Sequence, residues 1–227
     1  MTIAHPLDRP VWSALSTRQR PLSQGDARAR RLISDYGWFA AAADNAPGHV
    51  AALAALPIDP AGLFLVETGE VSTPPGMTVV SQAVCRQLMA DEVEAVEPTF
   101  EVIALGDADA PEMLDLARMT KPGPYSTATH RMGQFIGVRQ AGQLVAMAGE
   151  RLQPDGFSEV SGVCTHPDHR GHGYARGLSS IVGRRIQARG ETPFLHAYET
   201  NIGAMRLYEQ LGFRVRASVI LTVLQLV

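Results

Sequence analysis

Apolar positions fall into a regular pattern only in the second half of the chain. Leu178, Ile181, Val182 and Ile186 recur every three or four residues, which predicts an amphipathic helix over about 173–189, stopped by Gly190. Met113, Leu114, Leu116 and Ala117 give the same period over 109–119, with Asp109 as the expected cap and Pro111 in the first turn. Residues 134–139 and 143–151 alternate about Gln140, Ala141 and Gly142, as a hairpin does. Strands are expected at 100–105, 157–165, 194–198 and 213–226, and a short helix at 202–211 ended by Gly212. Hairpins followed by a βαβ crossover point to a mixed α/β sheet.

The first 98 residues pattern less clearly. Propensity and the spacing of Leu32, Ile33, Tyr36 and Phe39 predict a helix over 27–44, with a second over 48–56 closed by Pro57 and Pro60. Residues 63–67 and 77–81 read as strands, and 84–90 as either a strand or a short helix. No catalytic spacing occurs here. Pro98 is the expected boundary between a 1–98 α/β region and a 99–227 domain. A degenerate, shorter copy of the second half's architecture is one reading of the first.

Composition narrows the function classes. Apolar residues make up 45% of the 227 and charged residues 19%, enough apolar content for a real core. A formal net charge of -3 supplies no global basic field for nucleic acid. Two cysteines, Cys85 and Cys164, each inside an apolar run, form neither a disulfide framework nor a zinc set and are expected to be reduced and buried. Residues 1–10 lack the pattern of a secretory signal. No stretch reaches the ~20 apolar residues of a membrane helix, so a cytoplasmic location with no membrane partner is expected.

The informative segment is 160–175. A predicted strand feeds a loop with glycines at 171 and 173, and the loop runs straight into the amphipathic helix. A helix start offers unpaired N–H groups and the positive end of the dipole, and glycines let main chain approach an anion. Arg170 adds charge, so the segment suits a phosphate. The Gly-Lys-Ser/Thr of a P-loop is missing. The dinucleotide fingerprint fails too, because Arg176 stands where its third glycine belongs and the strand follows two hairpin strands.

Arg170, Gly171, His172, Gly173, Tyr174 and Ala175 match the R/Q-x-x-G-x-G/A signature, and the chain thereby resembles the GNAT acyltransferase superfamily. Asn201, Ala204, Tyr208, Gly212 and Phe213 are similar to that family's later motif. The phrases 147–150 and 159–164 resemble its glycine-N-acyltransferase-like branch. The likeness spans about 100–225. It implies a mostly antiparallel mixed sheet flanked by helices, splayed into a V between 157–165 and 194–198. It also implies acetyl-CoA (acyl-CoA) as co-substrate, without a metal. Main chain of Val163 and Thr165 would hold the pantetheine arm, the amides of Arg170–Ala175 the pyrophosphate, and Asn201 the arm again. An amide near Val163 or Cys164 would polarise the acyl carbonyl, and Tyr208 would protonate the leaving thiolate.

Each residue has a second reading. Tyr208 also fits a core position, and Asn201 also fits a helix cap. Glu159, on the strand face shared with Ser161 and Val163, is the candidate base, with Glu150 as competitor; either could instead pair with Arg151 or another cation. His166, His169 and His172 sit in a phosphate loop, a poor host for a metal. Tyr125 and Arg131 precede the first hairpin strand, where Arg131 could clamp an acceptor carboxylate or simply face solvent. The partner expected is a small-molecule amine or amino acid, or a peptide N-terminus, and not nucleic acid. A non-catalytic acyl-CoA-binding or sensing module is the alternative.

Overall fold

A computed structural model describes residues 5–227. The expected absence of a leader at 1–10 therefore lies partly outside the described residues. In chain order the elements are α1 (Pro10–Ser16), β1 (Ser23–Gly25), β2 (Ala29–Leu32), β3 (Ala40–Ala42), α2 (Pro47–Ala52), β4 (Leu63–Glu67), β5 (Met77–Met89), β6 (Ile103–Leu105), α3 (Ala110–Thr120), β7 (Phe135–Gln140), β8 (Gln143–Glu150), β9 (Phe157–Thr165), α4 (Tyr174–Ala188), β10 (Thr192–Tyr198), α5 (Ile202–Gln210) and β11 (Arg214–Leu226). Among the described residues no helix is long and apolar enough to cross a membrane.

Eight strands form one sheet in the order β4-β11-β5-β10-β9-β8-β7-β6, and β1-β2-β3 form a small second sheet. Every neighbouring pair in the large sheet is antiparallel except β9 and β10. This is the mixed, mostly antiparallel α/β architecture expected. Leu178, Val182 and Ile186 of α4 lie fully or almost fully buried in one core with Val145, Ala148, Val160 and Leu195. Each such side chain contributes about 1.5–3 kcal/mol of apolar burial. Met113 and Leu116 of α3 pack in a separate core with Leu144, Met147 and Cys164. The turn between β7 and β8 has positive φ at Ala141 and Gly142, the conformation of a tight hairpin.

The first half differs from its expected pattern. The helix expected over 27–44 is instead β2, a bend and β3. β2 is buried along its whole length between β1 and β3, and Gly37, at φ 148, breaks any helix there. Tertiary packing overrides the alanine-rich propensity, and Arg31 is buried against Asp59 and the Pro57 carbonyl. The strand expected at 77–81 continues through Met89 as one 13-residue strand, absorbing the ambiguous 84–90. Asp109 takes the N-cap position of α3 as expected, but its carboxylate makes no capping bond to the helix; it accepts from Gly106 N at 3.0 Å and pairs with Arg139. Residue 98 lies between β5 and β6, and the large sheet runs across it, with β5 between β10 and β11. A core of Leu7, Val11, Phe39, Val66, Cys85, Phe194 and Leu221 joins the two halves.

Candidate active site

The site begins where β9 and β10 part. They pair in parallel only at Thr192–Phe157, Pro193–Ser158 and Phe194–Glu159. Beyond that point β9 runs on to Thr165 and β10 to Tyr198 without pairing, which opens a V in the sheet. On its other edge β9 carries a bulge: from Met147 to Gly149 of β8 is two steps, but from Cys164 to Ser161 is three. A bulge leaves one residue unpaired and re-aims the main chain. Gly162 adopts φ 64 there, and a Cβ on it would lie 2.8 Å from the Phe135 ring, so both backbone and packing require glycine.

Past the bulge, β9 enters the loop to α4. Gly171 and Gly173 have φ 83 and 76, with open space where a side chain would project. Gly173 is the N-cap of the 15-residue α4, whose first-turn N–H groups therefore face the loop. A groove of about 420 Å³ is lined by Val163, Cys164, Thr165, the run from His169 to Arg176, Asn201, Leu207 and Tyr208. Its charged lining is Lys121, Arg170 and Arg176, without a carboxylate among the described residues. All ten residues expected to hold the donor line this one groove: Val163, Cys164, Thr165, Arg170, Gly171, His172, Gly173, Tyr174, Ala175 and Asn201. Positive charge, exposed amides and an unpaired strand edge suit an elongated ligand with phosphates at one end. The loop histidines have local partners: His166 Nδ1 accepts from Asp168 N, and His172 stacks on Tyr174 at 5.5 Å.

A second cavity of about 140 Å³ shares Lys121, Pro122, Val163, Asn201, Ala204 and Tyr208 with the groove. Phe39, Val66, Cys85, Arg151, His196, Tyr198 and Leu221 build much of the rest. Tyr208 is 8% exposed and lines both spaces. Burial pushes its phenol pKa well up, with Cys164 and Glu159 adding to the effect, so it is protonated at neutral pH. Asn201 accepts from Ala204 N at 3.1 Å, capping α5 while still lining both spaces.

The acceptor-side residues expected from sequence are placed otherwise. Glu159 is 1% exposed and does not line the cavity. It accepts from Arg151 Nε and Nη2, each at 2.9 Å, from Leu152 N at 3.2 Å, and pairs with His196 Nδ1 at 2.8 Å. Burial alone would raise its pKa; Arg151 and His196 outweigh burial and hold the carboxyl well below the usual range. A carboxylate so saturated is a poor base. Glu150 is bound by Arg189 at 2.6 and 3.1 Å, tying β8 to the end of α4, outside the cavity. Arg131 is held bidentately by Asp107 at 2.8 and 2.9 Å and lines neither space, so it clamps no acceptor there. Tyr125 is buried edge-on against Phe135, its hydroxyl unpaired. Sequence reasoning missed His196, Gln87 and the Phe39 and Val66 walls. His196, within the otherwise apolar 193–198 stretch of β10, was the available signal; Gln87, on a strand that also carries Ser81, Gln82 and Arg86, gave none.

Residues 135–221 match the family described as FR47-like protein. Over nearly its whole length the chain is similar to a crystal structure described as an acetyltransferase of the GNAT family from Novosphingobium aromaticivorans DSM 12444, at 46% identity, covering 99% of this chain and 100% of that one, with a TM-score of 0.91. A GCN5-related N-acetyltransferase from Kribbella flavida shares the fold at 21% identity, 97% and 96% coverage and a TM-score of 0.64. So does a GCN5-related N-acetyltransferase-like protein from Streptococcus suis 89/1591, at 15% identity, 95% and 92% coverage and a TM-score of 0.60. Comparison with curated proteins gives no match. With that likeness over its full length, and with the splay, bulge and glycine loop in place, the chain belongs to the GNAT acetyltransferase family, which implies acyl transfer from acyl-CoA.

Proposed function

We propose that the protein is an N-acyltransferase that moves an acetyl group from acetyl-CoA to a primary amine by direct attack in a ternary complex. The carrying observation is Tyr208, a protonated phenol lining both the donor groove and the second cavity. In this reading the amides of Arg170–Ala175 hold the pyrophosphate and the main chain of Val163 and Thr165 holds the pantetheine arm. The bulged main chain near Val163 and Cys164 polarises the thioester carbonyl as a modest oxyanion site. The amine attacks that carbon from the second cavity, the C–S bond breaks, and Tyr208 delivers its proton to the leaving thiolate. No covalent enzyme intermediate is needed. The first half acts by walling the acceptor side through Phe39, Val66 and Cys85. The phrases at 147–150 and 159–164 support a place in the glycine-N-acyltransferase-like branch, with a small amine, amino acid or peptide N-terminus as acceptor.

Calorimetry with acetyl-CoA and a CoA-release assay over an amine panel test this reading. Binding with turnover is expected, and Tyr208→Phe should lower turnover ~10²-fold while leaving donor affinity intact. Donor binding without release for any amine would leave a binding module instead.

A further inference from the structure

The second cavity has no proton acceptor to offer, and this bears on which amines it can use. Its ionisable lining is Lys121, Arg151, Cys85, His196, Tyr198 and Tyr208, with no carboxylate among the described residues. Lys121 and Arg151 are cations. Burial pushes the Cys85 thiol up to about 11 and raises both phenols, so these three groups keep their protons near neutrality. Glu159, behind His196 and Arg151, has its oxygens filled. Only the imidazole of His196 is left.

Its hydrogen bonds fix its state. Arg216 Nη1 lies 2.9 Å from Gln87 Oε1, and a guanidinium can only donate, so the orientation of the Gln87 amide is set. The Gln87 NH₂ then donates to the Leu7 carbonyl at 2.9 Å and faces His196 Nε2 at 3.1 Å. An amide nitrogen accepts no hydrogen bond, so His196 Nε2 is the acceptor. The ring proton sits on Nδ1 and donates to Glu159 Oε1 at 2.8 Å. Both ring nitrogens are committed, and a proton arriving at Nε2 would set two N–H groups against each other.

We propose that the cavity takes its acceptor already as the neutral amine, with no enzyme base, and so selects amines of low basicity: α-amino groups beside a carbonyl and aromatic amines, over simple alkylamines. This rests on the acyl-transfer reading above. Arg151 is neutralised by Glu159, which leaves Lys121 as the uncompensated charge on the wall and disfavours an ammonium ion further. The step balances simply. The amine nitrogen's lone pair forms the C–N bond, the C–S bond breaks towards thiolate, Tyr208 protonates the sulfur, and the proton lost from the amine nitrogen passes to water, from which the Tyr208 phenolate regains its own. At pH 7.5 about a third of an α-amino group is neutral, against roughly one in a thousand of a lysine-like alkylamine.

The test is the pH dependence of kcat/KM, read as CoA release from acetyl-CoA by the intact chain between pH 6 and 9.5. The acceptors are an aromatic amine, an α-amino acid amide and a primary alkylamine. Expected is an acid limb that tracks each acceptor's own ionisation: flat for the aromatic amine, a bend near pH 8 to a plateau above about pH 9 for the α-amino amide, and a continuous tenfold rise per pH step for the alkylamine. In His196→Gln the limb should keep its position, whatever the rate. One limb at the same pH for the amino amide and the alkylamine, with plateaus below their own ionisation, would overturn the inference and make the imidazole a base. No release with any amine, despite acetyl-CoA binding, would overturn the acyl-transfer reading and this inference together.

Discussion

The groove and the second cavity share six lining residues but are built in opposite ways. The larger part of the groove comes from one run of chain, 163–176, which presents main chain (a bulge, two left-handed glycines and a helix start), and Thr120–Pro122 and the Asn201–Tyr208 segment close its other side. The cavity gathers side chains from Phe39 to Leu221 and is set by a buried chain of polar contacts, Arg216–Gln87–His196–Glu159–Arg151, crossing four strands. A site made of backbone must show in the sequence, because only glycines and a helix start can make it. A site made of side chains that topology collects leaves no such mark.

The largest expected effect is on the cavity's supports. Glu159→Ala leaves Arg151, whose side chain is 11% exposed, without a counter-charge, and should cost about 3–5 kcal/mol in denaturant unfolding. The sign with pH follows from the depressed carboxyl. Its contribution is present above its ordinary value near 4.5 and is lost as pH falls through the lower folded value, so Glu159→Gln should flatten the acid side of the stability curve. A variant as stable as wild type would mean that the cavity is not held by this pair. Tyr208→Phe comes next, at ~10²-fold in turnover or about 2.7 kcal/mol, and it separates the two regions because donor affinity should not move. Arg170→Ala should act on the groove alone, raising the KM for acetyl-CoA about tenfold with a salt dependence weaker than wild type's. Smallest is Gly173→Ala. Its methyl meets nothing, so the loss of about 1 kcal/mol, read by thermal unfolding and donor titration, reflects the left-handed backbone only.

The same contrast explains what was legible. Strands 157–165 and 63–67 have the bounds the pattern predicts, and α4 lies within one residue of its expected span, because one face of each meets a core. The residues of the glycine loop line one groove. On the acceptor side the sequence left two readings open for Glu159 and Glu150, a base or a partner of Arg151 or another cation, and for Arg131 a carboxylate clamp or a solvent-facing side chain, because nothing local to each charge says which long-range neighbour the fold brings to it. Their partners Arg151, Arg189 and Asp107 are 8, 39 and 24 residues away, respectively. The helix expected over 27–44 failed for a related reason: the Ala40–Ala42 run is fully enclosed and serves as a strand where propensity favours a helix.

The last strand has a consequence for how the protein is made. β11 lies between β4 and β5, pairing Ile220–Leu224 with one and Arg214–Leu226 with the other. The two strands that the first half gives to the large sheet, β4 and β5, thus meet only through residues that a ribosome adds some 125 positions or more later (from Met89 to Arg214). Until then β4 and that edge of β5 wait without their ladder partner, and such distant pairing is intrinsically slow. The first half cannot mature ahead of the second, as separate domains do during synthesis. The second cavity, walled by Val66, Cys85 and Leu221, is therefore completed only once the last strand is in place.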